Sequence, residues 1–261
     1  MPEGDTLRRT AAGLAPHLVG RRVTAARSRV GGAQVERIVG ATIDAVEAAG
    51  KNLLIRFDNG LELRTHLRMN GSWHRYRPGE RWQRPESRAR LVIETPNAVA
   101  VCFDAPVIEL FETRAEVVHP GLARLGPDLL DDDWGPRQIV EARRRLRDPA
   151  RASMSVSQAL LDQRALAGIG NIWRNETLFA ERVNPWTPVR DLDDATLDRL
   201  VDRARALLRA SVASTPGRSP MRVYGRSGRP CPRCRTLLRS APLATDLPRT
   251  TYWCPTCQPG P

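Results

Sequence analysis

Four of the five cysteines stand in two pairs, Cys231-Pro-Arg-Cys234 and Cys254-Pro-Thr-Cys257, with 19 residues between them. Thiolates paired at this spacing are the donor set of a tetrahedral zinc centre, and four of them leave no open position for a reactive water. One structural zinc ion is therefore expected. An iron centre or a redox pair would use the same residue type, although two paired clusters around what reads as a hairpin argue against the redox reading. Cys102 lies in the apolar run 98–103 and reads as a core residue. The second chemical singularity is Lys51, the only lysine among 41 basic residues. So strong an Arg bias weakens any inference from a single Arg and makes the one primary side-chain amine conspicuous.

The balance of 41 basic against 29 acidic residues gives a formal net charge of +12. That charge favours an anionic partner, nucleic acid before membrane. Between Arg218 and Arg249 lie eight Arg and one acidic residue, Asp246. Metal binding would order this short segment and aim its cations at a phosphate backbone. Gln158 to Glu176 joins two helical patterns across Gly168-Ile-Gly170. Such glycines admit backbone conformations closed to other residues, and the next helix could offer free amides to a phosphate, with Asn171 as its cap. An ordinary helix hairpin has the same pattern. No apolar leader and no run near ~18 apolar residues is visible, which predicts a cytoplasmic, nucleoid-associated protein in a reducing compartment, without a membrane partner. A monomer is expected.

Positioning these groups requires two kinds of element. Leu7, Ala11, Leu14 and Leu18 recur at helical spacing and predict a helix over 3–18. From about 21 to 111 the period shortens. Leu53 to Phe57, the Asp58-Asn59-Gly60 turn and the Leu61-Glu62-Leu63 alternation read as a hairpin, with further strands at 91–93, 98–103 and 107–111. An antiparallel sandwich or barrel follows. Residues 112–136 read as a connection. Helical periods resume at Ile139, Arg143 and Leu146, at Val156, Leu160 and Leu161, and over Leu192 to Leu208, the last capped by Asp191 or Asp194. A linker signature of Ser, Thr, Gly and Pro spans 211–220.

With these elements in place, the chain resembles the formamidopyrimidine-DNA glycosylase and endonuclease VIII family, and its endonuclease VIII branch in particular. Met1-Pro2-Glu3-Gly4 is similar to the family's amino end. Ala49-Gly50-Lys51-Asn52-Leu53-Leu54 resembles the hairpin carrying its lysine, and Thr65-His66-Leu67-Arg68-Met69-Asn70-Gly71 the segment that inserts a wedge into DNA. Residues 158–179 look like the helix–two-turn–helix. Val223-Tyr224-Gly225-Arg226 leads into a finger ending Arg249-Thr-Thr-Tyr-Trp-Cys254-Pro-Thr-Cys257-Gln258. Two departures stand out. Thr6 occupies a position where the branch carries an acid, and Asp104-Ala-Pro-Val-Ile-Glu-Leu-Phe lacks the Arg-Phe-Gly signature of the 8-oxoguanine-directed branch.

The resemblance implies a multidomain α+β fold: an N-terminal antiparallel β-sandwich with an N-terminal helix (1–115), an interdomain linker (116–136), a C-terminal helical domain with the helix–two-turn–helix (137–215) and a zinc-finger β-hairpin (221–258). It implies Pro2 as the catalytic amine after removal of Met1, Glu3 as its acidic partner and Lys51 beside the target nucleotide. Met69 fills the space of the flipped base, Asn171 and Arg249 clamp phosphates, and Cys231, Cys234, Cys254 and Cys257 hold zinc. An N-terminal proline can form an iminium with C1′ of deoxyribose, helped by an α-amino pKa near ~8. The expected activity is excision of oxidised pyrimidines followed by strand cleavage through β- or β,δ-elimination, on damaged DNA that is duplex or single-stranded. Competing readings are an inactive damaged-DNA-binding protein on the same scaffold, an 8-oxoguanine-preferring glycosylase, and a zinc-ribbon module for RNA or protein contact. His17, His66, His74 and His119 lack ligand spacing and read as structural or surface residues.

Overall fold

The apolar stripe near the amino end folds as expected: Leu7, Ala11, Leu14 and Leu18 are the buried face of α1 (Gly4–Leu18) in the computed structural model, which describes residues 2–214, 221–243 and 249–260. Each such Leu, fully buried, contributes about 1.5–3 kcal/mol. The described chain divides into two compact units, the first ending at Arg124 and the second beginning at Leu125.

In the first unit, β1 (Ala25–Ser28), β6 (Ala89–Glu94), β7 (Val99–Phe103) and β5 (Ser72–Tyr76) form one antiparallel sheet in that order. The other sheet has the order β2 (Ile43–Ala49), β3 (Asn52–Phe57), β4 (Leu61–His66), β8 (Val107–Glu112). Leu53, Ile55 and Leu63 from one sheet share a core with Leu91, Ile93 and Cys102 from the other and with the α1 stripe. The architecture is a sandwich, and Cys102 is core, with burial raising its thiol pKa.

The alternation read in Leu61-Glu62-Leu63 does not mark a wet face, because Glu62 is fully buried. Its carboxylate accepts from Arg56 Nε at 3.1 Å, and Arg56 also reaches Glu116 at 3.0 Å from the 3-10 turn Thr113–Val118. Strand β7 is buried at every residue because Trp82, from the loop after β5, packs with Tyr76, Val101 and Phe103 on the sheet's second face.

In the second unit, α2 (Pro136–Leu146), α3 (Val156–Ala159), α4 (Asn171–Ala180) and α5 (Asp194–Ala213) surround a core that includes Leu146, Leu160, Trp173 and Leu200. Helix α3 is one turn, shorter than its periodicity predicts. A capping box opens it, with Gln158 N to Ser155 Oγ at 3.3 Å, and Gln163 ties the following turns by bonds to Leu161 O, Ile169 O and Gly168 N. Gly168 uses a positive φ of 92°. The expected cap of α5 is corrected: Asp193, not Asp191 or Asp194, accepts from Thr196 N at 2.7 Å. The expected linker at 211–220 begins too early, since Ser211 to Ala213 complete α5, and its remainder from 215 lies outside the described residues. Strands β9 (Arg239–Leu243) and β10 (Arg249–Trp253) pair antiparallel, while Asp246 between them and Arg218 before them lie outside the described residues. No helix among the described residues is long and apolar enough to cross a membrane.

Candidate functional site

Pro2 and Glu3 lead into α1, and Glu3 is the extended N-cap residue (φ −116°, ψ −179°). Its backbone oxygen accepts from Thr6 N and Leu7 N at 2.9 and 3.1 Å, but its carboxylate does not cap the helix. An acid serving only the helix dipole would stay in water; Glu3 is 1% exposed. Burying a carboxylate costs free energy unless polar partners attend it, which separates Glu3 from a surface acid. Met1 lies outside the described residues.

Lys51 occupies the two-residue turn between Ala49 and Asn52, where β2 meets β3. Gly50 has φ 58° and Lys51 has no positive φ, the II′ pattern whose twist suits a right-handed hairpin. That requirement explains the glycine before the lysine. At the opposite end of β2, Gly20 N bonds Ile43 O at 2.8 Å, and α1 packs along β2. A 15-residue helix and a seven-residue strand are both roughly 22 Å long, so the Pro2–Glu3 end is carried towards the level of the Lys51 turn.

The base of this hairpin is held by polar groups. Asn52 donates to Ala49 O at 2.9 Å and accepts from Arg64 Nε at 2.9 Å; Arg64 in turn pairs with Glu109, which His119 reaches at 3.3 Å. Gly121 leaves the room Arg64 needs, since a Cβ there would lie 2.6 Å from Arg64 Nη2. His66 stands opposite Asn52. Burial, then the nearby charges of Arg68, Arg64 and Lys51, lower its pKa to about 4, so the imidazole is neutral at pH 7. Its Nδ1 accepts from Arg68 N at 3.2 Å, which places the proton on Nε2. The ring is then a hydrogen-bond donor inside a cationic group.

Met69 sits in the turn between β4 and β5 and is 61% exposed. Gly71 N closes the turn on Leu67 O at 2.9 Å, and a Cβ at Gly71 would meet that oxygen at 2.6 Å. The turn thus presents an apolar side chain to solvent and needs its glycine. Ser72 is opposite Phe103, which brings the Asp104–Pro106 turn alongside. Asp104 there accepts from Arg84 Nη1 at 2.8 Å and from Nε and Nη2 of Arg88 at 2.9 and 2.7 Å; the Arg88 hydrogen bond, foremost, lowers its pKa.

In the second unit, the expectation that Asn171 caps α4 is corrected: Asn171 is the helix's first residue, and the cap position is Gly170, with φ −128°. The Asn171 side chain turns instead to β10, with Nδ2 to Thr250 O at 3.3 Å. Arg249, the residue before, opens that strand. Along α4, Asn175 Oδ1 accepts from Tyr252 N at 2.7 Å, and Glu176 accepts from the amides of Arg222, Val223 and Tyr224. The four cysteine sulfurs lie within 4.8 Å of one another, with Cys234–Cys254 at 3.4 Å and Cys231–Cys257 at 3.9 Å. A tetrahedron with Zn–S near ~2.3 Å needs sulfurs about 3.8 Å apart, so the donor set fits a closed thiolate centre. Gln258 ties it to the segment that follows α4, accepting from Cys254 N and donating to Val183 O.

The structure places Pro2, Glu3, Lys51 and Met69 in the first unit, and Asn171, Arg249 and the cysteines in the second. Sequence reasoning passed over His66, read as structural, and Arg174, hidden among forty arginines.

Residues 1–106 match the formamidopyrimidine-DNA glycosylase N-terminal domain, and residues 125–221 the formamidopyrimidine-DNA glycosylase H2TH domain. A probable endonuclease 8 2 of Streptomyces coelicolor is 41% identical, covering 100% of this chain and 95% of that protein. A DNA-(apurinic or apyrimidinic site) lyase of Mycolicibacterium smegmatis is 39% identical over 99% of both chains. Among solved structures, a Lactococcus lactis formamidopyrimidine-DNA glycosylase in complex with N7-benzyl-Fapy-dG DNA has the same fold, with a TM-score of 0.85 at 21% identity over 99% of this chain and all of that one. With both domain matches and full-length relatives of this identity, the chain belongs to the formamidopyrimidine-DNA glycosylase and endonuclease VIII family of repair enzymes, on its endonuclease 8-like branch.

Proposed function

We propose that the protein is a bifunctional DNA glycosylase and abasic-site lyase that removes oxidised pyrimidines through an N-terminal proline Schiff base. The observation that carries the reading is Pro2 followed by the buried Glu3, at the end of α1 directed towards the hairpin of the only lysine. In this mechanism the secondary amine of Pro2 attacks C1′ while Glu3 protonates the ring oxygen or the departing base. The glycosidic bond breaks and the base leaves. Cleavage of the C1′–O4′ bond, with a proton passing to the ring oxygen, then opens the sugar and leaves the iminium on Pro2; this acidifies the C2′ proton, whose removal expels the 3′ phosphate, and a second elimination releases the 5′ phosphate. Lys51 and the Nε2–H of His66 supply positive potential and a donor to the phosphate beside the reacting sugar. Asn171 and Arg249 grip phosphates, and Met69 fills the gap left by the flipped nucleotide. Cys231, Cys234, Cys254 and Cys257 would hold one zinc ion, which supplies a structural clamp for the strand that starts with Arg249.

The substrate context follows from what stands beside Met69. The neighbouring turn offers Asp104, locked by two arginines, and as its exposed apolar group only the short ring of Pro106, in place of a long side chain to wedge the complementary strand. An enzyme with one wedge loses less on DNA that is already unstacked, since flipping there costs fewer of the few kcal/mol otherwise required. Single-turnover excision on one panel tests both parts, with 5-hydroxyuracil, thymine glycol, an abasic site and 8-oxoguanine each in duplex, bubble and single-stranded DNA. Pyrimidine lesions and abasic sites should react fastest, with bubble rates at least equal to duplex rates. Fastest removal of 8-oxoguanine opposite cytosine would overturn the branch-specific substrate while leaving the Pro2 chemistry standing.

A further inference from the structure

Among the described residues, the largest fully buried side chain is an arginine. Arg174, in α4, is 0% exposed, and its guanidinium reaches three elements. Nη1 donates to Thr251 Oγ1 at 3.0 Å in β10 and to Ser157 Oγ in α3. Nη2 donates to Asn171 Oδ1 at 2.5 Å and to Thr250 O at 3.2 Å. These acceptors are neutral oxygens, and two of them belong to the residues that follow Arg249.

A guanidinium has donors only. Holding Asn171 by its oxygen therefore decides which way the amide faces: Nδ2 must point away from Arg174, and one of its two hydrogens goes to Thr250 O. With the amide reversed, two donors would confront each other in a buried place, at a cost of the order of a lost hydrogen bond or more. The same Thr250 oxygen accepts from both Arg174 and Asn171, so one planar fork fixes the amide of Asn171 and the strand position of Arg249 together. Lysine cannot do this. Its single ammonium cannot span the two nitrogens' separate sets of partners.

We infer that Arg174 is a positioning residue for phosphate recognition, setting both the amide orientation of Asn171 and its spacing from Arg249. The inference rests on the proposed reading of Asn171 and Arg249 as phosphate ligands. Preorganised donors contribute binding without paying the ordering cost when the anion arrives. Loss of Arg174 should therefore appear in substrate affinity and should depend on Asn171 being present.

The test uses the full chain loaded with zinc and a duplex carrying a tetrahydrofuran abasic analogue for affinity, with abasic DNA for lyase kinetics. Arg174→Lys should raise Kd and KM on the order of tenfold, with kcat at saturation within about twofold and zinc content unchanged. A merely destabilised protein would instead lose active fraction and kcat. In an Asn171→Ala background, Arg174→Lys should have an effect less than half as large in log Kd. An undiminished effect there, or an unchanged Kd in Arg174→Lys alone, overturns the inference. Asn171→Ala and Arg249→Ala measured singly separate the two levels: if neither weakens binding, the phosphate-clamp reading itself fails. Should Arg174→Lys not fold, Thr251→Val removes one acceptor of the fork and should raise Kd by a few-fold, again less so without Asn171; an additive effect would overturn the positioning role.

Discussion

Glu3 and His66 show how much of the site depends on where a titratable side chain is placed. Glu3 could have been an ordinary first-turn acid, yet its residue surface is withdrawn from water and its carboxylate leaves the helix uncapped. If it supplies a proton during base release, Glu3→Gln should lower excision of an oxidised pyrimidine by about 10²–10⁴-fold. Cleavage of a preformed abasic site should fall far less, and equal loss of both would remove Glu3 from the base-release step. His66 gives a pH prediction. Its folded pKa of about 4 lies below the ordinary 6.5, so between those values the unfolded chain binds more protons than the folded one. The stability tied to neutral His66 is complete above about 6.5 and is lost as pH falls through that window towards 4. The His66 ring resonances should show no titration until about pH 4, and His66→Gln should flatten the acid loss of stability. A midpoint near 6.5 would contradict the cationic, desolvated setting.

The elements explain which of these residues were legible. The α1 stripe, the strand alternation and the turn glycines have strong local signals, and they yielded the sandwich. Cys231 to Cys257 were readable because metal-ligand spacing is a property of the sequence itself. Asn171 does not have the local role its position suggests: the cap belongs to Gly170, and the Asn171 amide is held across 79 residues by Thr250. The alternation at Leu61-Glu62-Leu63 marks a strand but cannot report that Arg56 and Glu116 cover Glu62 on its second face. The docking of β10 on α4 through Asn175 Oδ1 and Tyr252 N also has no local signature. It does have a consequence. If zinc organises the finger, Cys254→Ser should bring zinc below one equivalent and weaken DNA binding by about tenfold or more, because strand and metal order together. Metal analysis showing full occupancy in that variant would contradict the four-cysteine centre.

For the whole molecule, a net charge of +12 suits a polyanion, but it does not by itself choose between an enzyme and a binding protein. That choice depends on a small number of residues in the first unit, Pro2 above all, whose neighbours Glu3 and Gly4 are buried at the head of α1. The arginine-rich composition concealed Arg174 among forty arginines, whereas the single lysine, Lys51, stands out in the sequence. It is also the rival nucleophile, because a primary amine can form the same adduct. Borohydride reduction of the complex with abasic-site DNA, followed by mass analysis of the cross-linked peptide, discriminates between them. The proposed mechanism predicts an adduct on the nitrogen of Pro2 in protein lacking Met1, and trapping reduced at least tenfold in Pro2→Gly with Lys51→Ala still trapped. An adduct on Lys51, or efficient trapping of protein that retains Met1, would contradict it.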